Sequence, residues 1–252
     1  MKLQELDEYF RTMLKICDFS SDPSQNGIQV ENSRKQVNKI AFAVDACTET
    51  ISRAAKENAD MLFVHHGLFW GHEQVLTGIH YNRIKELIAN DIALYACHIP
   101  LDANDPNGNN YGIAARLGLK NLKPFGTWRD MVIGVMGEFE KPVSIDFAAK
   151  AMFPDGEKPV AVLPFGKKQI ETCAIISGGA GEDVYQAKEA GADLYITGEI
   201  EHELYHPILE MGINVIAGGH YQTETVGVSL VAKKVQTELG LETVFIDVPT
   251  GM

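Results

Sequence analysis

Short apolar runs alternate with helical spacings along most of the chain, and three of the runs end in histidine. Met61-Leu62-Phe63-Val64 leads into His65-His66-Gly67, and Ile92–Cys97 leads into His98, with Asp102 just beyond. Ile213–Ala217 passes through Gly218-Gly219 into His220, with Glu224 one helical turn on. Such runs predict buried strands. Ile40–Val44 predicts another, ending at Asp45, then a helix over Thr48–Asn58 and one over Tyr81–Ala89. Leu3, Leu6, Phe10, Met13, Leu14 and Cys17 predict an amphipathic helix at the N-terminus. Later, Cys173–Ser177 leads into Gly178-Gly179-Ala180-Gly181 and a helix to Ala190. Strand Leu194–Thr197, a helix near Tyr205–Met211, a helix over Glu224–Leu239 and a strand over Thr243–Val248 complete the pattern.

Strand–helix–strand repetition predicts parallel pairs with right-handed crossovers. The expected fold is therefore α/β, with two similar, intertwined halves of helices layered on mixed, largely parallel sheets. The halves are placed at 1–125 and 126–252, with the C-terminal helix and strand able to pack back on the first. Laying Ile40–His66 on Cys173–Glu199 needs no gap and gives five identities in 27 positions. These are Ala41/Ala174, Glu49/Glu182, Ala54/Ala187, Ala59/Ala192 and Asp60/Asp193. Any two such units share a hydrophobic pattern, so duplication and coincidence both stand as readings. Under duplication Glu199 takes the place of His66, and two equivalent strand ends face a pseudo-symmetric cleft. Pro124–Pro164 breaks the alternation and holds five of the ten prolines. It reads as the connection between halves, with a strand at Val132–Glu140 and a short helix after Ser144.

Composition narrows the function classes. A net charge of -12 argues against nucleic-acid binding, which wants a basic patch. No apolar run approaches the roughly 20 residues that span a bilayer, and the acidic N-terminal helix does not read as a signal peptide. The four cysteines are scattered without a C-x-x-C, as expected of reduced, mostly buried thiols in a cytoplasmic protein.

Parallel α/β sheets present ligands at the carboxyl ends of their strands, where this chain places His65, His66, His98, Asp102, His220 and Glu224. Imidazole and carboxylate together suit a Zn, Mn, Fe or Ni ion. Gly67 lets the backbone turn after His65-His66, so adjacent rings could serve two neighbouring ions. His220 and Glu224 share a helix face, Pro100 fixes an extended turn before Asp102, and Glu224 could bridge two ions. His98 reads as a hydrogen-bond partner behind a ligand or as a proton carrier. Glu199 and His202, just past a strand end, are candidate cleft residues. Ser177–Gly181 could offer backbone N–H groups to an anion but lacks the lysine of a P-loop. His72, His80 and His206 are expected on the surface or in packing roles, and Asn26–Val30 as a turn entering a strand.

The set His65-His66-Gly67, His98-x-Pro-Leu-Asp102, Thr197-Gly198-Glu199 and Gly219-His220-Tyr221-x-Thr-Glu224 resembles the NGG-interacting-factor-three-like family. Bacterial members are commonly called GTP cyclohydrolase 1 type 2 homologues. The resemblance spans the chain from Asn26 to the last helix, in the compact form without an inserted ferredoxin-like domain. It implies a two-domain α/β subunit, a dinuclear metal centre in a cleft and a toroidal homohexamer. By motif, His65, His66, Asp102, His220 and Glu224 carry over as ligands of two divalent ions, with Glu224 touching both. The established GTP cyclohydrolases use a zinc with cysteine and histidine ligands, and Cys97-His98 has no second cysteine in suitable context. A dinuclear centre is suited to hydrolysis. The first expectation is therefore a hydrolase of a small nucleotide-like or other amide/phosphoester substrate, with Glu199, His98 and His202 as catalytic candidates. The other is a non-catalytic metal-binding ring or scaffold, which needs no such protic group.

Overall fold

A computed structural model of the chain describes residues 1–33 and 36–252. In chain order its elements begin with α1 (Leu3–Met13), β1 (Gly27–Val30), β2 (Lys39–Asp45), α2 (Thr48–Lys56), β3 (Met61–His66), α3 (Gly78–Ala89), β4 (Ala93–Ala96) and α4 (Ile99–Asp102). Next come α5 (Asn109–Leu117), β5 (Lys120–Trp128), β6 (Met131–Val143), α6 (Ile145–Met152), β7 (Ala161–Pro164), β8 (Ile170–Ile175) and α7 (Val184–Glu189). The chain closes with β9 (Leu194–Thr197), α8 (Tyr205–Met211), β10 (Asn214–Ala217), α9 (His220–Leu239) and β11 (Glu242–Phe245). It divides into two compact units, one of residues 1–104 and 227–249, the other of 105–226 and 250–252. No helix of the described residues is long and apolar enough to cross a membrane.

The first unit is built on a sheet of order β1-β4-β3-β2-β11. β2, β3, β4 and β11 run parallel, and β1 closes one edge antiparallel to β4. The core strands are apolar at consecutive positions because both sheet faces are buried. Phe42, Phe63 and Tyr95 are register neighbours, and their rings form one row with Phe10 of α1 packed on it. Ala41, Ala43, Leu62, Val64, Leu94 and Ala96 fill the opposite layer with Ile51 and Ala54 of α2 and Ile84 and Leu87 of α3. α1 stops where Lys15 takes a left-handed backbone, and Cys17, predicted inside this helix, is exposed. Burial of the thiols is thus confined to Cys97 and Cys173, with Cys47 half-buried.

The second unit has a sheet of order β5-β6-β8-β9-β10-β7. Here β8, β9 and β10 run parallel, and β7 closes one edge antiparallel to β10. The stretch Pro124–Pro164 is therefore an integral part of a sheet and not simply a connection. β6 pairs with β8, β5 with β6, and β7 with β10. Pro124 is tolerated because β5 is an edge strand, where a missing N–H leaves no broken ladder. Phe153 is buried, whereas Val160 and Val162 are exposed.

The two parallel cores share more than a pattern. Ile40 pairs with Met61 and Cys173 with Leu194, the same register at the aligned positions. Asp60 Oδ2 accepts the backbone N–H groups of Asn38 and Lys39 at 2.8 and 3.2 Å. Asp193 Oδ2 accepts those of Glu171 and Thr172 at 3.0 and 3.3 Å, which are the aligned residues. Ala59 N–H bonds to Ala54 O and Ala192 N–H to Ala187 O, each at 3.0 Å. The preceding residues, Asn58 and Gly191, both adopt positive φ.

Candidate metal centre

In the first unit the carboxyl ends of β2, β3 and β4 lie along one sheet edge. β3 continues through both histidines instead of ending before them. His65 is fully buried and His66 half-buried, and their ring centroids are 4.6 Å apart. His65 Nδ1 lies 3.0 Å from Cys97 O, an acceptor, so that nitrogen carries the proton. His65 Nε2 lies 3.5 Å from Asp102 Oδ2. His66 Nδ1 donates to Asp45 Oδ1 at 2.8 Å. Asp102 sits in a short helix, α4, where an extended turn was expected. Pro100 occupies its first turn, where a proline breaks no hydrogen bond. The buried Asp102 carboxylate is 6% exposed.

His98 follows β4 and is held from behind. Its Nδ1 donates to Asp22 Oδ1 at 2.9 Å, and its backbone N–H donates to Asn26 Oδ1 at 2.8 Å. Asp22 also accepts from Ser24 N, Asn26 Nδ2 and Ile99 N. Burial alone would raise the pKa of this carboxyl, but the bonds from His98, Asn26 and Ser24 outweigh it and hold it below the ordinary value. Trp70 packs edge-on against His98 with centroids 5.0 Å apart. Asp22, Asn26, Asp45 and Trp70 were not singled out as site residues by sequence. The nearest signals were the strand end at Asp45 and the turn at Asn26.

In the second unit the ends of β8, β9 and β10 do the same work. α9 begins at His220, a turn earlier than expected, so His220 and Glu224 both lie on its first turns. His220 Nδ1 donates to Glu199 Oε1 at 2.6 Å, and His220 Nε2 lies 3.0 Å from Glu224 Oε1. Burial favours the neutral ring, but the carboxylates on both nitrogens outweigh it and raise the His220 pKa to about 9. Glu224 is buried, whereas the Glu199 side chain is 41% exposed. A Cβ on Gly198 would lie 2.6 Å from Gly178 O and 2.9 Å from His220 Cα, so only glycine lets the strand end close on the helix start. Gly178 has φ +70, and a Cβ there would fall against Glu224 Oε1 and 3.3 Å from His220 Nε2. Two N–H groups of the glycine-rich loop are committed internally, Ser177 N to Asn110 Oδ1 and Gly178 N to Thr223 Oγ1. They are therefore not offered to an anion.

These donors fit divalent transition ions. They are imidazole and carboxylate only. Each of the four rings has Nδ1 on a carbonyl or carboxylate, the outer bond that ligating histidines make. Gly178 keeps room beside His220 and Glu224. His65, His66 and His98 form a group whose potential ligand atoms lie within 4.8 Å of one another. His202 is exposed in a single 3-10 turn, and no such group among the described residues includes it. His72 and His206 are exposed, and His80 packs edge-on against Phe69.

Known proteins resemble this chain over its whole length. The family model described as Duf34/NIF3 (NGG1p interacting factor 3) matches residues 1–251. A "GTP cyclohydrolase 1 type 2 homolog" of Treponema pallidum (strain Nichols) is 47% identical over 286 aligned positions, covering 100% of both chains. One of the same name from Pyrococcus abyssi (strain GE5 / Orsay) is 41% identical, again covering 100% of both. The crystal structure of TTHA1606 from Thermus thermophilus superposes with a TM-score of 0.91 at 39% identity, covering 100% of each chain. The chain belongs to the Duf34/NIF3 (NGG1p interacting factor 3) family.

Proposed function

We propose that this protein is a hydrolase using two divalent cations per chain, held by His65, His66, Asp102, His220 and Glu224, with Glu224 shared between them. The observation that carries the reading is the outer bond on every ring. With Nδ1 engaged by Cys97 O, Asp45 or Glu199, Nε2 is the nitrogen of each ring left to take a cation, in His220 by displacing a proton. Two such ions would make a water acidic near neutral pH and stabilise the negative charge that develops during attack on an amide or phosphoester. The chain's own residues do the rest. Asp45 and Glu199 fix the tautomers of His66 and His220. Glu199, part exposed and bonded to His220, is the protic group best placed to pass a proton to or from a small substrate. His98 is the other candidate, and His202 has the least support.

The substrate class follows from this chemistry and from the relatives' printed name: a small nucleotide-like molecule or another amide or phosphoester. A closed homohexameric ring is the proposed assembly. It is supported by the resemblance and by the exposed Val160 and Val162 at the β7 edge, where apolar surface favours a partner. The test is a metal-dependent turnover screen across nucleotides, phosphoesters and cyclic amides, with chelated protein as control. Metal binding with no turnover of any class would leave a non-catalytic metal-binding ring.

A further inference from the structure

The glycine-rich loop that follows β8 is tied to the start of α9 by an uncharged side chain. Thr223 is fully buried, and its Oγ1 accepts the backbone N–H of Gly178 at 3.1 Å. The Gly178 carbonyl accepts the backbone N–H groups of Gly198 and Glu199 at 2.9 and 3.0 Å. Glu199 Oε1 in turn takes the bond from His220 Nδ1, and His220 lies three residues before Thr223 on α9. Thr223, Gly178, Glu199 and His220 thus form a closed circuit. We propose that Thr223 is a positioning residue for the Glu199–His220 pair, acting through Gly178 on the backbone that carries Glu199. The inference rests on the metal-binding reading above and adds to it the residue that holds an outer carboxylate in place.

A threonine in a helix often bonds back to a carbonyl of its own preceding turn. Thr223 Oγ1 has such partners, with Gly219 O and His220 O each 2.9 Å away. A hydroxyl carries one proton, so it donates to one of these carbonyls and keeps its lone pairs for Gly178 N–H. The local bond needs nothing outside the helix, whereas the bond to Gly178 spans 45 residues. The loop is held from its other side as well. Ser177 N–H donates to Oδ1 of the buried Asn110, whose Nδ2 donates to Ile133 O. Thr197 Oγ1 adds a third donor to Gly178 O, at 3.3 Å. Gly178 has φ +70 and no room for a Cβ beside Glu224, so the loop has one seat there. A glutamate gives up side-chain freedom when it holds a ring, and the Glu199 side chain is 41% exposed. Fixing its backbone removes arrangements that compete with the 2.6 Å bond to His220. Deleting the Thr223 hydroxyl strips the buried Gly178 N–H of its acceptor and loosens that support.

The test is a cobalt(II) titration of the chelated full-length protein, read by absorption spectrum and by competition for affinity. Thr223→Val keeps the shape and deletes the hydroxyl, whereas Thr223→Ser keeps the hydroxyl. Asp193→Ala cuts two backbone bonds at the other ends of β8 and β9 and controls for lost stability. Thr223→Val should lose about tenfold in affinity at one class of site, the low end of the scale for supports of a ligating histidine. Its cobalt spectrum should change too. Thr223→Ser and Asp193→Ala should bind as the parent does, the second despite melting earlier. If Thr223→Val does not fold, Thr223→Ala takes its place. Parental affinity and spectrum in that variant, or an equal loss in Thr223→Ser or Asp193→Ala, overturns the inference and leaves the proposed function standing. A parent protein that binds no cobalt overturns both.

Discussion

Glu199 Oε1 and His220 Nδ1 lie 2.6 Å apart, and this bond turns the opposite nitrogen of the ring toward Glu224. Glu199 is thus tied to the proposed metal ligand His220 as well as being 41% exposed. Glu199→Gln keeps an acceptor oxygen for Nδ1–H, so metal content should persist while turnover falls by about 100-fold or more, as for loss of a proton-transfer group. Glu199→Ala removes the acceptor and should also weaken metal binding by about tenfold or more. Metal analysis beside initial rates separates the two. Equal metal loss in both variants would assign Glu199 to ring orientation alone.

The two carboxylates around His220 set a pH dependence. In metal-free protein its pKa is raised from 6.5 to about 9. Stability from a raised pKa is fully present below the unfolded value of 6.5 and is lost as pH rises through about 9. Chelated protein should therefore melt at lower temperature at pH 10 than at pH 7, and His220→Asn should flatten that difference. At pH 7.5 a cation must also displace the ring's proton. Calorimetric titration in buffers of different ionisation enthalpy should show that release, and its absence would contradict the protonated ring.

Asp60 and Asp193 tie the start of one parallel strand to the next in the two units by the same pair of bonds. Removing either acceptor leaves two backbone N–H groups without it. Asp60→Ala and Asp193→Ala should each destabilise by about 1–3 kcal/mol. Urea denaturation checks this, and a loss below about 0.5 kcal/mol for both would show that water replaces these bonds without penalty.

Much of this was legible in the chain. Strand β9 and helix α8 fall where periodicity put them, because buried runs bounded by turns leave little freedom. The strand ends carrying His65, His66, His98 and His220 were readable for the same reason. Asp22 and Asn26 were not, since their partners are distant in sequence and the intervening chain carries no periodic signal linking them. β5 was missed because Pro124 and Gly126 disguise an edge strand whose residues are mostly exposed. The helical turn at Asp102 was missed because Pro100 signals extension as readily as a first helical turn.

The proposed ring should appear in solution as a particle of six chains. Val162→Lys adds a charge to the exposed β7 edge and should shift the population toward smaller species. Light scattering at micromolar concentration reads both, and a single-chain mass for the parent would refute the ring.

The proposed imidazole and carboxylate donors should bind two ions. Elemental analysis of protein purified without chelator and loaded with metal tests it most directly. The expected ratio is about two ions per chain, with Glu224→Gln losing both and His65→Ala chiefly one. A ratio at or below one under metal-replete conditions would contradict it.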